Sequence, residues 1–290
     1  MKYEGEIIRP PSEAYSQLLQ VTVGCSHNKC TFCPAYKRKK FRIKNFDEIQ
    51  EDILESGRYN RIDKVFLCDG DALIIPQEKL IQIMESIRTH IRGNKSVGTY
   101  ANAKSILRKT VAELTELKKL GLTILYLGVE TGNSALLKKI EKGVTYEQMV
   151  QAGRRVKEAG ISLSATVILG LGGEEKSEEH ARDTARILTD IDPDYVGALT
   201  LMLVPGTPLY DEYMRGKFVI PNQFALLKEL VIIISDSDFT NCYFKSNHAS
   251  NYLPVKAKLP LDKEKVVHMI KHIIEAADAR LLRPEYSRGL

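Results

Sequence analysis

The chain reads as an α/β fold in which six strand–helix units lay down a parallel sheet. Three observations predict it: short β-rich runs alternate with amphipathic helical stretches, a glycine-rich or polar turn follows each run, and three cysteines fall directly after the first. Such alternation implies parallel strands joined by crossover helices, in a doubly wound sheet or in a partial (β/α) barrel. Both architectures put a functional site at the carboxyl ends of the strands.

Strands are expected at residues 17–23, 64–67, 96–100, 123–128, 162–169 and 195–203, and helices at 46–56, 77–90, 110–120, 145–159 and 178–191. Val150, Val156 and Ala159 recur at helical spacing. Gly121 and Gly160 stand where a left-handed C-cap belongs. Thr110 and Thr145 are suited to N-caps, the second with Gln148 completing a capping box. The turns after strands two to six carry Asp69-Gly70-Asp71, Tyr100-Ala101-Asn102, Glu130-Thr131-Gly132, Gly170-Leu171-Gly172-Gly173 and Pro205-Gly206-Thr207-Pro208.

From about Pro221 the pattern changes: a helix over 223–234, an irregular polar stretch over 240–252, a connector flanked by Pro254 and Pro260, and a final helix over 262–282. Val266, Ile270, Ile273, Ile274 and Ala277 share one face of that last helix. The expected organisation is an N-terminal extension over 1–15, a core over 16–215 and a mostly helical C-terminal cap over 216–290.

A chain of 290 residues is long enough for a substantial core. Its longest apolar runs, such as residues 230–234, are too short to span a bilayer, and the acidic residues near Met1 do not resemble an export signal. Five cysteines, three of them clustered, suggest a reducing compartment, hence the cytoplasm, and a monomer or dimer is expected. A net charge of +5 is mild. One basic run stands out, Lys37, Arg38, Lys39, Lys40, Arg42 and Lys44; it is either a solvated loop or a lip that attracts a carboxylate, a phosphate or an RNA backbone.

The chemistry lies in Cys25, Cys30 and Cys33. Three thiolates within nine residues fill three corners of a four-iron cluster and leave one iron open to a ligand. A structural zinc with His27 as fourth ligand is the competing reading; it lacks the second ligand pair that such sites draw from another loop. A disulfide would leave an odd cysteine. Cys68 reads as a small core residue, and Cys242 lies in the polar stretch; two isolated cysteines do not make an auxiliary cluster.

Together these residues resemble the radical S-adenosylmethionine superfamily. The resemblance rests on Cys25-x4-Cys30-x2-Cys33, Asp69-Gly70-Asp71, Gly128-Val129-Glu130-Thr131-Gly132 and Ile168-Leu169-Gly170-Leu171-Gly172-Gly173, and it covers roughly residues 16 to 215. The segment from Gly128 to Gly143 is very similar to the branch with oxygen-independent coproporphyrinogen oxidases, methylthiotransferases and Elongator-type enzymes. The first cysteine gap is four residues where the family usually has three. Methylthiotransferases need a second cluster, which counts against that subgroup.

The resemblance implies a partial (β/α)6 barrel, a [4Fe–4S] cluster and S-adenosylmethionine. An electron from the cluster would cleave the sulfonium C–S bond to a 5′-deoxyadenosyl radical, which takes hydrogen from a substrate. An electron donor such as flavodoxin or ferredoxin is implied. The substrate is expected to be a small organic or cofactor-type molecule, with RNA, met through residues 37–44, as the alternative. A non-catalytic iron–sulfur or zinc protein is the alternative of another class.

The resemblance also implies residue roles. Cys25, Cys30 and Cys33 hold the cluster. Phe32 packs on the adenine, with a plain core residue as the alternative. Asp69, Gly70 and Asp71 accept from the methionine ammonium, with a simple turn as the alternative. Glu130 bonds to the ribose or the methionine end, or else caps the next helix. Either Arg154 or Arg155 pairs with the methionine carboxylate, since neighbours on a helix cannot both face one site. Thr166, Leu169, Gly170, Leu203 and Val204 line the adenine pocket, or serve ordinary packing. Tyr100, Asn102 and His248 are candidates to face the substrate, His248 from a polar group with Asn247, Ser250 and Asn251 that reads otherwise as a surface turn.

Overall fold

The computed structural model describes residues 1–58 and 61–289. In chain order the elements are β1 (Gln17–Gln20), β2 (Thr22–Val23), β3 (Arg42–Ile43), α1 (Phe46–Ser56), β4 (Lys64–Cys68), α2 (Gln77–His90), β5 (Ser96–Ala101), α3 (Ala103–Leu107), α4 (Val111–Lys119) and β6 (Leu122–Glu130). There follow α5 (Ser134–Lys139), α6 (Tyr146–Glu158), β7 (Ser162–Leu169), α7 (Ser177–Ile191), β8 (Tyr195–Thr200), α8 (Pro208–Met214), α9 (Gln223–Asp236), β9 (Cys242–Lys245), β10 (Lys256–Leu259) and α10 (Lys263–Ala276). The chain forms two compact units. The first comprises Met1–Asn28, Ala35–Leu127 and Gln151–Leu163; the second comprises Lys29–Pro34, Gly128–Val150 and the residues from Ser164 onward.

In the first unit β1, β4, β5 and β6 lie side by side in that order, all parallel. Val65, Phe66, Leu67 and Cys68 of β4 are fully buried, as a strand covered on both faces requires. Helices α1 and α2 bury Ile49 and Ile53, and Leu80, Ile83, Met84 and Ile87, at i, i+3, i+4 and i+7 spacing. Phe66, Tyr100 and Tyr126 meet edge-on, with ring centroids 5.1, 5.8 and 6.0 Å apart.

The expected strand over 17–23 is two strands. After β1, the Val21 N–H bonds to the Cys68 carbonyl at 2.8 Å. The chain then turns, so that β2 pairs antiparallel with β3. The cysteine loop, residues 24–41, thus connects the two strands of a short ribbon. At the foot of this ribbon Lys44 and Asp52 form an ion pair at 3.0 Å, with side chains only 2% and 5% exposed. The Lys44→Met variant leaves the Asp52 carboxylate buried with the Lys2 N–H as its remaining donor. A loss of about 3 kcal/mol is expected, read as a fall of roughly 6–12 °C in Tm; an unchanged Tm contradicts it.

In the second unit β7, β8 and β9 are parallel and β10 is antiparallel to β9. The polar stretch over 240–252 therefore contains a strand that its residue types concealed. Cys242 and Phe244 are buried while Tyr243 and Lys245 are exposed; four alternating residues are too few to stand out. The expected tail helix over 262–282 ends early, because Ala277 takes a left-handed φ of 49° with no glycine to signal it. Ile140, Ile168, Leu171, Leu201, Leu209 and Phe218 form a core, and Phe32 and Leu203 pack on it.

Candidate active site

The first unit brings Cys25 against the turn that follows β4. A Cβ on Gly70 would lie 2.7 Å from Tyr36 Cε2 and 3.1 Å from Cys25 Cβ, so the approach admits only glycine. The Gly70 N–H bonds to the Gly24 carbonyl at 3.1 Å, which ties this turn to the start of the cysteine loop.

The two acids of the turn are held from one side each. Asp69 Oδ2 accepts from Gln20 Nε2 and the Gly24 N–H, both at 3.0 Å, and from Lys39 Nζ at 2.9 Å. Asp71 Oδ2 accepts from Ser26 Oγ at 2.5 Å, Asn102 Nδ2 at 2.7 Å and Ser105 Oγ at 2.5 Å. Burial pushes the Asp71 pKa up, against these donors. Among the described residues, the other oxygen of each acid, Oδ1, is buried without a hydrogen-bond partner, as is Tyr36 Oη. Buried acceptors left without donors are costly. Two such acceptors on one turn suit a ligand that carries several N–H groups and a positive charge.

Asn102 serves this arrangement directly. It caps α3 by accepting from the Ser105 N–H at 2.9 Å and donates to Asp71. Tyr100 sits in the aromatic cluster beneath, and burial raises its pKa. Arg155 donates to the Leu107 and Lys109 carbonyls at 2.9 and 2.7 Å, while Arg154 is exposed.

The second unit holds Lys29–Pro34 of the cysteine loop. The Thr31 N–H bonds to the Ile140 carbonyl at 3.1 Å, and the Leu209 N–H bonds to the Thr31 carbonyl at 3.0 Å. Cys33 N–H closes a turn on the Cys30 carbonyl at 3.4 Å. None of the five cysteines is in a disulfide, and Cys25, Cys30 and Cys33 are half-buried. Among the described residues no three His, Cys, Asp or Glu side chains stand gathered as a metal-holding group. The loop offers three sulfur donors of the type iron–sulfur centres use, rather than a finished cage.

Glu130 ends β6 with a φ of 67°. It pairs with Lys142 at 2.8 Å, the two side chains 11% and 12% exposed. Burial opposes the Lys142 charge, yet Glu130, and with it the Cys30 and Cys33 sulfurs, hold its pKa above the ordinary lysine value. Two residues on, a Cβ on Gly132 would fall 1.9 Å from the Asp183 carbonyl of α7, so this position must be glycine for the helix to pass.

A buried polar network backs the carboxyl ends of β6 and β7. His180 Nε2 donates to the Ile168 carbonyl at 2.9 Å, and Nδ1 meets Thr131 Oγ1 at 2.9 Å. Glu229 accepts from the Gly170 N–H at 2.7 Å and from Ser177 Oγ at 2.6 Å. Burial lowers the His180 pKa to about 4 and raises that of Glu229 to about 7.

Because the fold holds the Glu229 proton more tightly than the unfolded chain does, this group stabilises the fold fully below its unfolded pKa of 4.5 and loses that contribution as pH rises through about 7. His180 has the opposite sign: its contribution is present above its unfolded value of 6.5 and lost as pH falls through about 4. The Tm of the native chain relative to Glu229→Gln is therefore expected to fall between pH 5 and pH 8; a constant difference contradicts the assignment.

His248 and its neighbours cap β8. Ser250 Oγ accepts from the Thr200 N–H at 3.1 Å and pairs with His248 Nδ1 at 2.9 Å. Asn251 bonds to Thr200 Oγ1 at 2.8 Å and to the Ala198 carbonyl at 2.9 Å. Arg283 gathers the His248, Ala249 and Asn251 carbonyls at 3.0, 2.7 and 3.1 Å. Burial, and then Arg283, lower the His248 pKa. Thr166 lies half-buried on β7, and the Val204 carbonyl accepts from Thr207 Oγ1 at 2.7 Å in the turn beyond β8.

The sequence model of the radical SAM superfamily matches residues 19–186, more than half of the chain. The chain belongs to this superfamily. An uncharacterized protein of Methanocaldococcus jannaschii is 26% identical over 266 residues, covering 87% of this chain and 76% of its own length. The heme chaperone HemW of Bacillus subtilis is 24% identical over 216 residues, covering 73% of this chain and 56% of its own. Among solved structures, the radical SAM coproporphyrinogen III oxidase HemN of Escherichia coli superposes with a TM-score of 0.55 at 15% identity, over 76% of this chain and 52% of that one. The chain thus spans about half the length of HemW and HemN. The expected fold, an α/β partial barrel, is that of its structural neighbours. A radical SAM enzyme implies S-adenosylmethionine and an iron–sulfur cluster, and needs an electron donor. No described helix is long and apolar enough to cross a membrane.

Several residues of these networks carry no sequence motif. Ser26, Ser105, Tyr36 and Lys39 are common types in unremarkable positions. Lys142 lies inside the segment that carries the resemblance but twelve residues from its partner. Glu229 and His180 left a faint signal, as polar residues on the buried faces of α9 and α7.

Proposed function

We propose that this radical SAM enzyme reductively cleaves S-adenosylmethionine at a [4Fe–4S] cluster held by Cys25, Cys30 and Cys33, and removes hydrogen from a small organic or cofactor-type substrate. The observation that carries this is the pair of donorless carboxylate oxygens, Asp69 Oδ1 and Asp71 Oδ1, in the turn against Cys25. When bound, the reduced cluster supplies the electron that breaks the sulfonium C–S bond. The residues of the chain bind and orient. Asp69 and Asp71 take the methionine ammonium. Of the two arginines, exposed Arg154 stands as the partner of the methionine carboxylate, because Arg155 is committed to backbone carbonyls. Glu130 serves the ribose or the methionine end. Phe32, Thr166, Leu169, Gly170, Leu203 and Val204 form the adenine wall, Phe32 and Leu203 resting on one apolar cluster. Asn102 holds Asp71; Tyr100 and His248 remain the candidates on the substrate side.

The charge distribution favours a small substrate over RNA. Of the basic run, Lys39 is paired with Asp69, Lys44 with Asp52, and Arg42 with Glu4 and Glu48, which leaves Lys37, Arg38 and Lys40 outward. Binding to RNA that weakens steeply with salt would reverse that preference.

The Asp71→Asn variant tests the ammonium site. Loss of a charge-assisted hydrogen bond, worth about 1.5–3 kcal/mol, predicts S-adenosylmethionine binding weaker by roughly 10- to 100-fold at unchanged iron content. Equal affinity in variant and native enzyme contradicts the role.

A further inference from the structure

We propose that Glu229 is a positioning residue for the nucleoside end of S-adenosylmethionine: from α9 it holds the turn after β7 in the shape on which the base packs. The inference rests on the cofactor assignment above. Gly170 opens that turn with a φ of 83°, and its N–H is taken by Glu229 Oε2 at 2.7 Å. The same helix touches the turn a second time, since a Cβ on Gly170 would lie 2.8 Å from Leu226 Cδ2. Leu226 and Glu229 are three residues apart and share a helix face.

The other polar groups at this strand end are also held. The Ile168 carbonyl accepts from His180 at 2.9 Å, the Leu169 carbonyl from the Leu201 N–H at 2.9 Å, and the Gly170 carbonyl from the Gly173 N–H at 3.1 Å. Without Glu229 the Gly170 N–H would be the group lacking a protein acceptor. A carboxylate 1% exposed on an otherwise apolar helix is costly for stability alone. An apolar side chain of the same size would pack α9 better. What the acid adds is a fixed direction for one backbone N–H, anchored in turn by Ser177 at 2.6 Å.

The test uses the anaerobically reconstituted enzyme and two probes, S-adenosylmethionine and 5′-methylthioadenosine. The second carries the nucleoside but no amino acid, so it reports the base end without the methionine contacts. Glu229→Gln keeps an oxygen for the Gly170 N–H, Glu229→Met removes it, and Glu229→Asp keeps the charge but shortens the reach. At matched Tm and iron content, Glu229→Met and Glu229→Asp are expected to bind 5′-methylthioadenosine at least about tenfold more weakly, and Glu229→Gln within about threefold of native. Native-like binding by folded Glu229→Met or Glu229→Asp overturns the proposal, as does a Glu229→Gln variant as weak as Glu229→Met. A native enzyme that binds neither probe overturns the cofactor assignment itself, and this inference with it.

Discussion

Cys30→Ala is expected to lose the iron–sulfur centre and all reductive cleavage of S-adenosylmethionine while the chain stays folded. Two thiolates cannot fill three corners of a cubane, and no other cysteine is at hand: Cys68 and Cys242 are buried. Cys30 is half-buried in a loop whose backbone is fixed by its neighbours, through Thr31 to Ile140 and Leu209. Those backbone bonds do not involve the thiol, so the cluster-free variant should keep the native fold as read by circular dichroism. Iron and sulfide content, visible absorption and 5′-deoxyadenosine formation should all collapse together. A variant that keeps its iron and its turnover would show that Cys30 is not a ligand.

Lys39→Met is expected to be strongly destabilising and to weaken the cofactor site at the same time. Lys39 Nζ lies 2.9 Å from Asp69 Oδ2, and the Asp69 side chain is completely buried. Removing the cation leaves that carboxylate with two neutral donors, Gln20 and the Gly24 N–H. A broken buried pair costs about 3–5 kcal/mol, a fall of roughly 6–20 °C in Tm. The same change disturbs the acid that the methionine ammonium would meet, so S-adenosylmethionine binding should weaken too. Lys40→Met, one residue on and exposed, should leave both unchanged. Equal behaviour of the two variants would mean that the run is a solvated loop.

These outcomes bear on how much the sequence could reveal. The strand–helix alternation was legible because each unit is long, and because Thr110 and Thr145 announce their helices with capping boxes completed by Glu113 and Gln148. The two-residue strands β2 and β3 and the four-residue strands β9 and β10 were not, since period-two burial needs more residues to show. For the candidate site, sequence offers only what a motif fixes: the cysteines, Asp69-Gly70-Asp71, and the glycines at Gly132 and Gly170. The supporting side chains come from distant segments, Lys39 thirty residues before Asp69 and Glu229 fifty-nine after Gly170, and only the fold joins them. The basic run has the same limit: charge counts give no pairing, and three of its six cations face buried or nearby carboxylates.

The central claim is that three cysteines hold a cluster with an open iron that takes S-adenosylmethionine. Its most direct test is to reconstitute the protein with iron and sulfide without oxygen, reduce it with dithionite, add S-adenosylmethionine, and assay methionine and 5′-deoxyadenosine. The account predicts a coloured protein with about four irons per chain and equal amounts of the two products. A colourless protein, or one that binds a single zinc ion and forms neither product, contradicts it.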